Sequence, residues 1–349
     1  MTARLQIDRK RLFEQAKRIQ NETNILAVVK NNAYNIGLDL AFEAFFEAGI
    51  RSFATTSILE AVQLRKLNEE IYIFLMNPSI EFETLRNYNI AMTLPSLYFY
   101  KEHKKDLAGI EVHLEYKNLL RRSGFDHATE MLEVLHEDVV KVTGIWTHFA
   151  YADELDLLEY NEEKQNWLIL LNEINATERA FRFIHAQNSA SFMRDGLFTS
   201  HTHARLGILL FGSRPYHDLS PEIVPSIITL STNVIQTLSL KKGESSGYSN
   251  AFTAASDCRI AICDIGYGDG VLRTRARYDA MINGKRYQIG ALMMSHMLVI
   301  VDDKVKPDDV AYLYNDRLRV DEYTHLGVGA NSEQMSALNH NSLVVEINR

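Results

Sequence analysis

Ala27-Val28-Val29-Lys30-Asn31-Asn32-Ala33-Tyr34 is the stretch on which the reading of this chain turns. A short apolar, β-branched run suits a strand buried on both faces. It delivers one lysine to the carboxyl end of that strand, with a tyrosine four positions on. A lysine emerging there is only partly solvated, which lowers its pKa and leaves an amine able to form a Schiff base. From this octapeptide alone, a strand-end lysine snorkelling to solvent is an equally good reading. The rest of the chain decides.

From residue 24 to about 212, short β-branched runs alternate with segments of helical period. The strands are expected at Ile25–Val29, Ser52–Thr56, Ile71–Leu75, Ile90–Leu94, Ile110–Tyr116, Val140–Thr147, Phe181–His185 and around Ala204–Leu210. Helical patterns such as Leu38–Ala48, Ile58–Leu67 and Asn161–Ile174 lie between them. Eight strands, each followed by a helix, predict an α/β protein built on a (β/α)8 TIM-type barrel. Lys30, Arg122, His148, Asn188 and Arg205 all fall at or just after strand ends, on the face where barrel enzymes place their chemistry.

After about Ser220 the texture changes to strands joined by tight turns, with Asn283-Gly284 as a hairpin signal. The expected division is therefore a barrel over residues 8–220 and a smaller β-rich C-terminal domain over 221–349, with residues 1–7 as candidates to join it. Gly212-Ser213-Arg214-Pro215 marks the break.

At 349 residues the chain can bury a large core, and 46% hydrophobic with 23% charged residues is ordinary for a soluble protein. A net charge of −8 with no basic block argues against a nucleic-acid partner. No apolar run approaches the length of a membrane span or a signal core, so no membrane partner is expected and the cytoplasm is the expected location. Cys258 and Cys263 point to opposite faces of one strand and should not pair. No metal site is expected.

A Schiff-base lysine in a barrel followed by a β-domain suggests a pyridoxal 5'-phosphate enzyme, and the motifs point the same way. The Lys30–Tyr34 element, Trp146-Thr147-His148-Phe149-Ala150-Tyr151-Ala152-Asp153-Glu154 and His185-Ala186-Gln187-Asn188-Ser189-Ala190-Ser191 come in that order. Ala204-Arg205-Leu206-Gly207-Ile208, Gly243-Glu244 through Gly247-Tyr248-Ser249, and Asp264-Ile265-Gly266-Tyr267-Gly268-Asp269-Gly270 follow. Together they resemble the alanine racemase family, in a divergent form such as a second racemase of a Gram-positive bacterium. That resemblance implies roles residue by residue. Lys30 would hold pyridoxal phosphate and act as one base, with Tyr248 as the other on the opposite face. Arg205 would face the pyridine nitrogen, fixed by His148. Tyr34, Ser189 and the backbone of Gly207 and Ile208 would hold the phosphate, with Asn188 beside them. Arg122 would meet the cofactor's phenolic oxygen and the substrate carboxylate, and Met294 would lend that carboxylate an amide. Asp153, Tyr267 and Arg273 would line the entrance. Tyr248 and Met294 would reach over from the partner, which implies a homodimer with active sites at its interface.

Several positions depart from the family pattern. A carbamylated lysine often stands seven residues before the Arg122 position; here it is Glu115, which could supply a carboxylate directly. The phosphate-side motif reads Ala33-Tyr34-Asn35-Ile36-Gly37, Ala291 replaces an arginine, and Met293-Met294-Ser295 replaces a cysteine-containing element. Residues 336–342 lack the usual entrance tyrosine, with His340 as a stand-in. The expected activity is racemisation of L- and D-alanine by two bases, feeding D-alanine to the cell wall. A broad-specificity or diamino-acid racemase is the alternative; a related amino-acid decarboxylase or a pyridoxal phosphate-binding paralogue with little turnover is more distant.

Overall fold

Short runs of apolar residues become strands wherever both faces are covered. The computed structural model describes residues 2–176 and 178–348. After β1 (Arg4–Asp8), the chain places β2 (Ile25–Val28), β3 (Ser52–Thr55), β4 (Tyr72–Leu75), β5 (Ala91–Leu94), β6 (Glu111–Glu115), β7 (Lys141–Trp146), β8 (Phe183–His185) and β9 (Ala204–Leu206). β2, β5, β8 and β9 are buried at every position, as a parallel sheet covered on both faces requires. β2 to β9 form one parallel sheet in the order β8-β7-β6-β5-β4-β3-β2-β9. Two backbone bonds span the remaining gap, from Thr202 N–H to the Ile184 carbonyl at 3.0 Å and from Arg205 N–H to the Gln187 carbonyl at 2.9 Å. The sheet is a near-closed TIM-type barrel.

One expectation fails. β9 stops at Leu206 and no helix follows it. Gly207 begins a tight turn, closed by Leu210 N–H to the Gly207 carbonyl at 2.8 Å. A helix at the other end of the sequence, Arg9–Gln20, instead precedes β2, and its Gln15 donates to the Leu209 carbonyl at 3.2 Å. A periodicity scan cannot see an element supplied out of order.

The chain divides into two bodies, residues 13–210 and residues 2–12 with 211–348. The second holds β10 (Ile228–Leu240), β11 (Ser245–Ser246), β12 (Phe252–Thr253), β13 (Cys258–Cys263), β14 (Asp279–Ile282), β15 (Lys285–Leu292), β16 (Met297–Val301), β17 (Val310–Tyr314) and β18 (Val344–Asn348). The long β10 pairs with β17 in its first part and with β13 in its second, with a register shift between Val234 and Gln236. This bend lets the order β13-β16-β15-β14-β17-β10 close on itself antiparallel. β1 then runs antiparallel to β10 and parallel to β18. Asn283 and Gly284, at φ 51° and 76°, form the two-residue turn between β14 and β15, where positive φ matches the strand twist. Both cysteines are free thiols. Among the described residues no helix is long and apolar enough to cross a membrane.

Candidate active site

Lys30 lies two residues past the end of β2, and the backbone after it is unusual. Asn31, Asn32, Ala33, Tyr34 and Asn35 have φ of 54°, 52°, 54°, 53° and 67°, a continuous left-handed turn. Such a conformation costs an L-residue roughly 1–2 kcal/mol, and asparagine tolerates it best. Three of the five are asparagines, which is why this sequence can make the turn. Backbone bonds close it, from Ala33 N–H to Val29 at 3.0 Å and Gly37 N–H to Asn32 at 3.0 Å. Glu60 clamps it from outside, accepting the Asn32 amide at 2.7 Å and the Thr55 hydroxyl. Lys30 is thereby held half-buried. Burial, then the charges of Arg122 and Arg205, push its pKa below the ordinary lysine value.

Arg205 is buried at the middle of β9. Its four terminal N–H groups are all engaged. NH1 donates to His185 Nδ1 at 3.2 Å and to the His185 carbonyl at 3.1 Å. NH2 donates to the Thr147 carbonyl at 3.1 Å and to His148 Nδ1 at 2.8 Å. Only Nε–H has no protein partner among the described residues. Burial and the Arg122 charge lower the Arg205 pKa to about 9, so it remains a cation at neutral pH. Burial and that cation hold His148 and His185 well below the usual histidine range, leaving both as neutral acceptors.

Glu115, at the end of β6, is 3% exposed. Ser123 donates to one carboxylate oxygen at 2.6 Å and Thr93 to the other at 3.2 Å, while Arg122 NH2 lies 3.8 Å away. Burial raises its pKa, opposed by these neighbours. The balance of Lys30, Arg122 and Arg205 against one carboxylate makes the cluster a receptor for an anion.

Gly207 sets the opposite wall. A Cβ there would come within 2.3 Å of the Tyr34 hydroxyl, so the bare backbone is what lets that phenol approach. Burial raises the Tyr34 pKa to about 12 and keeps it a phenol. The Ser189 hydroxyl accepts the Gly207 and Leu209 amides, both at 3.3 Å, while the Ile208 amide beside them has no partner among the described residues. The Asn188 side chain is spent on structure: it caps the helix Ser189–Asp195 through two amides and donates to the Phe149 carbonyl at 2.8 Å. Asp153 lies exposed in the loop after β7.

Tyr248, Met294, Tyr267 and Arg273 belong to the second body. Tyr248 sits in the turn between β11 and β12, 80% exposed, and Met294 is 59% exposed. Tyr267 and Gly268 donate their amides to the carbonyls of Met293 and Met294 at 2.9 and 2.8 Å, fixing that segment. The Arg273 guanidinium stacks 5.2 Å from the Tyr267 ring.

The alanine racemase N-terminal domain model matches residues 7–215 and the C-terminal domain model matches residues 227–344. The chain belongs to the alanine racemase family. Alanine racemase 2 of Staphylococcus aureus (strain COL) is 50% identical to it, across 99% of this chain and 98% of its own length. The alanine racemase of Carboxydothermus hydrogenoformans is 29% identical across 86% of this chain and 85% of its own. Among solved structures, the Bartonella henselae alanine racemase with covalently bound pyridoxal phosphate superposes with a TM-score of 0.89 at 21% identity, covering 100% of both chains. The biosynthetic alanine racemase of Pseudomonas aeruginosa reaches 0.88 at 23% identity, over 100% of this chain and 99% of its own, a likeness of fold.

As a family member this chain is an isomerase, and the alanine racemase family depends on pyridoxal phosphate. Its residues fit that cofactor. The unpartnered Arg205 Nε–H is a donor suited to a ring-nitrogen lone pair, and the space kept open at Gly207 with the free Ile208 amide suits a phosphate.

Sequence reasoning gave no role to Glu60, Thr93, Ser123, His113 or His185. The missed signal was period two: His113 and Glu115, or Phe183 and His185, alternate on the inner faces of their strands.

The buried histidines predict an acid-sensitive fold. His113 and His201 titrate at about 3 and His203 at about 4, chiefly because burial penalises the charged ring. Below about pH 6.5 the unfolded chain binds protons that the native rings refuse. Stability is therefore expected to be fully present above that pH and to fall steadily towards pH 4. Urea midpoints at pH 7.5 and 5.0 check this; equal midpoints would contradict it.

Proposed function

We propose that this chain interconverts L- and D-alanine by moving the α-proton between two side chains, Lys30 of one protomer and Tyr248 of its partner, in a homodimer. The observation that carries this is Arg205. Bound pyridoxal phosphate supplies an electron sink that acidifies the amino acid's α-proton. A guanidinium donates only, so Arg205 would leave the ring nitrogen unprotonated and the sink a weak one. That favours quick return of the proton over the slower breakages open to a decarboxylase. The lowered pKa of Lys30 leaves more of its amine free to take a proton near neutral pH. Tyr34, Ser189, Gly207 and Ile208 would hold the phosphate and Arg122 the substrate carboxylate, with Met294 adding an amide. Asp153, Tyr267 and Arg273 would line the entrance, with the enzyme at work in the cytoplasm.

Glu115 takes the place of a carbamylated lysine in this reading. Its two hydroxyl donors and its approach to Arg122 support that role. Glu115→Gln is expected to raise KM for alanine roughly tenfold to a hundredfold, the size of one charge-assisted bond. Activity should also be indifferent to removal of bicarbonate. An unchanged KM and cofactor affinity in Glu115→Gln would refute the role.

Alanine is the first-choice substrate, and Ala291 with the altered 336–342 segment leaves larger amino acids in contention. The deciding experiment incubates the loaded enzyme in D₂O with alanine, serine, lysine, ornithine and arginine, following loss of the Cα–H signal and chirality. Exchange with racemisation of alanine is expected. Exchange only with a larger amino acid would move the substrate; no exchange with any would overturn the function.

A further inference from the structure

The polar groups of the barrel interior extend beyond the site described above. Inward positions of such barrels are usually branched and apolar. Here His113 on β6 and His185 on β8 are both fully buried. His113 Nδ1 lies 2.8 Å from His185 Nε2, and His113 Nε2 lies 2.8 Å from the hydroxyl of Tyr72, the first residue of β4. With the bond from Arg205 NH1 to His185 Nδ1, four side chains on four strands form one series of hydrogen bonds.

One end sets the direction of every link. A guanidinium cannot accept, so His185 Nδ1 must be bare. A neutral imidazole with a bare Nδ1 carries its proton on Nε2 and donates it to His113 Nδ1. His113 is then forced into the same tautomer, and its Nε2–H donates to the Tyr72 oxygen. A proton on either bare nitrogen would set donor against donor. Tyr72 keeps its own O–H, with Glu111 and Thr143 among the groups near its oxygen.

The fold makes room for this series. The pairing of β6 with β7 shifts between Val112 and His113, leaving Thr143 unopposed and setting Gly144 against His113. A Cβ at Gly144 would come within 2.6 Å of the histidine ring. Phe74 and Phe183 pack on that ring with centroids 4.3 and 5.1 Å away. A bulge next to a functional residue re-aims a side chain, and here it seats the second histidine.

We propose that His113 and Tyr72 are positioning residues for Arg205: they hold His185 as the Nε2–H tautomer in one orientation, so that its Nδ1 always faces the guanidinium. This rests on reading Arg205 as the partner of the cofactor's ring nitrogen. Without His113, the His185 Nε2–H is buried with no acceptor. The ring relieves this by turning or by moving its proton, and either takes an acceptor from Arg205.

The test uses the holoenzyme labelled with ¹⁵N-histidine, in which long-range ¹H–¹⁵N spectra report each tautomer. Wild type is expected to show His113 and His185 both as Nε2–H. In His113→Phe, which keeps a ring against Phe74 and Phe183, the His185 nitrogen shifts should move. Pyridoxal phosphate should dissociate about tenfold faster and kcat fall about tenfold, with KM for alanine within about twofold. His113→Gln, which restores an acceptor, should recover most of both losses at equal thermal stability. Tyr72→Phe, which removes the last acceptor, should shift the His113 signals in the same way and replaces the first variant if that one does not fold. Wild-type His185 protonated at Nδ1, or variants with unchanged His185 shifts and cofactor release, would overturn the proposal. The same tautomers in a wild type that racemises nothing would refute the functional reading while leaving the hydrogen-bonded series in place.

Discussion

Lys30→Ala is expected to lower racemisation by at least roughly 10³–10⁴-fold while leaving the protein folded. A positioned general base alone contributes about 10²–10⁴-fold, and the same amine would also anchor the cofactor. Folding should survive because the local structure does not depend on the lysine side chain. The turn after β2 is closed by backbone bonds and by Glu60 acting on the Asn32 amide. Chiral analysis of alanine turnover beside a thermal melt checks both halves. A lysine that merely snorkelled to solvent would give a variant with near-normal turnover, since such surface changes shift stability by only about 0.5 kcal/mol.

Tyr248→Phe should be nearly as damaging, by about 10²–10⁴-fold, with no cost to the fold. Its ring stands 80% exposed in its own chain, so removing the hydroxyl disturbs little packing there. With one base left, α-proton exchange in D₂O should persist for one enantiomer and nearly vanish for the other. Placement on the partner chain makes a sharper demand. Mixing inactive Lys30→Ala and Tyr248→Phe chains and letting subunits exchange should restore activity towards roughly a quarter of wild type. In a twofold-symmetric dimer, one of the two sites of each mixed dimer would receive both intact residues. If both residues served a site within one chain, every site would keep a defect and mixing would restore nothing.

The barrel was legible because its strands are short β-branched runs and its polar residues cluster where those runs end. Asn31 to Asn35 was not: three asparagines in five residues read as a loop, and nothing local announces a continuous left-handed turn. Glu60 is helix-borne, 28 residues on from the Asn32 amide it holds, so only the folded chain joins them. His113 and Tyr72 looked like ordinary strand residues because their meaning lies across strands. The helix expected after β9 was missing for the same reason, its neighbour Gln15 being 194 residues away in sequence. Periodicity reports what one element does, and these features are agreements between elements.

β1 lies between β10 and β18, so residues 4–8 find one of their strand partners only at residues 344–348. During synthesis, residues 13–210 are a contiguous body whose last barrel strand is complete by Leu206. The other body cannot close its sheet until residue 348 has emerged. At ordinary elongation rates that leaves an interval of roughly seven to thirty seconds after residue 210. Through it, β1 can find β10 at residues 228–231, but its other edge waits unpaired for β18, and an unpaired edge is a template for the wrong strand. Vectorial synthesis therefore gives this protein an early-maturing barrel and a late-maturing sheet. A ribosome-stalled chain ending near residue 340 would be the species most exposed to misassembly.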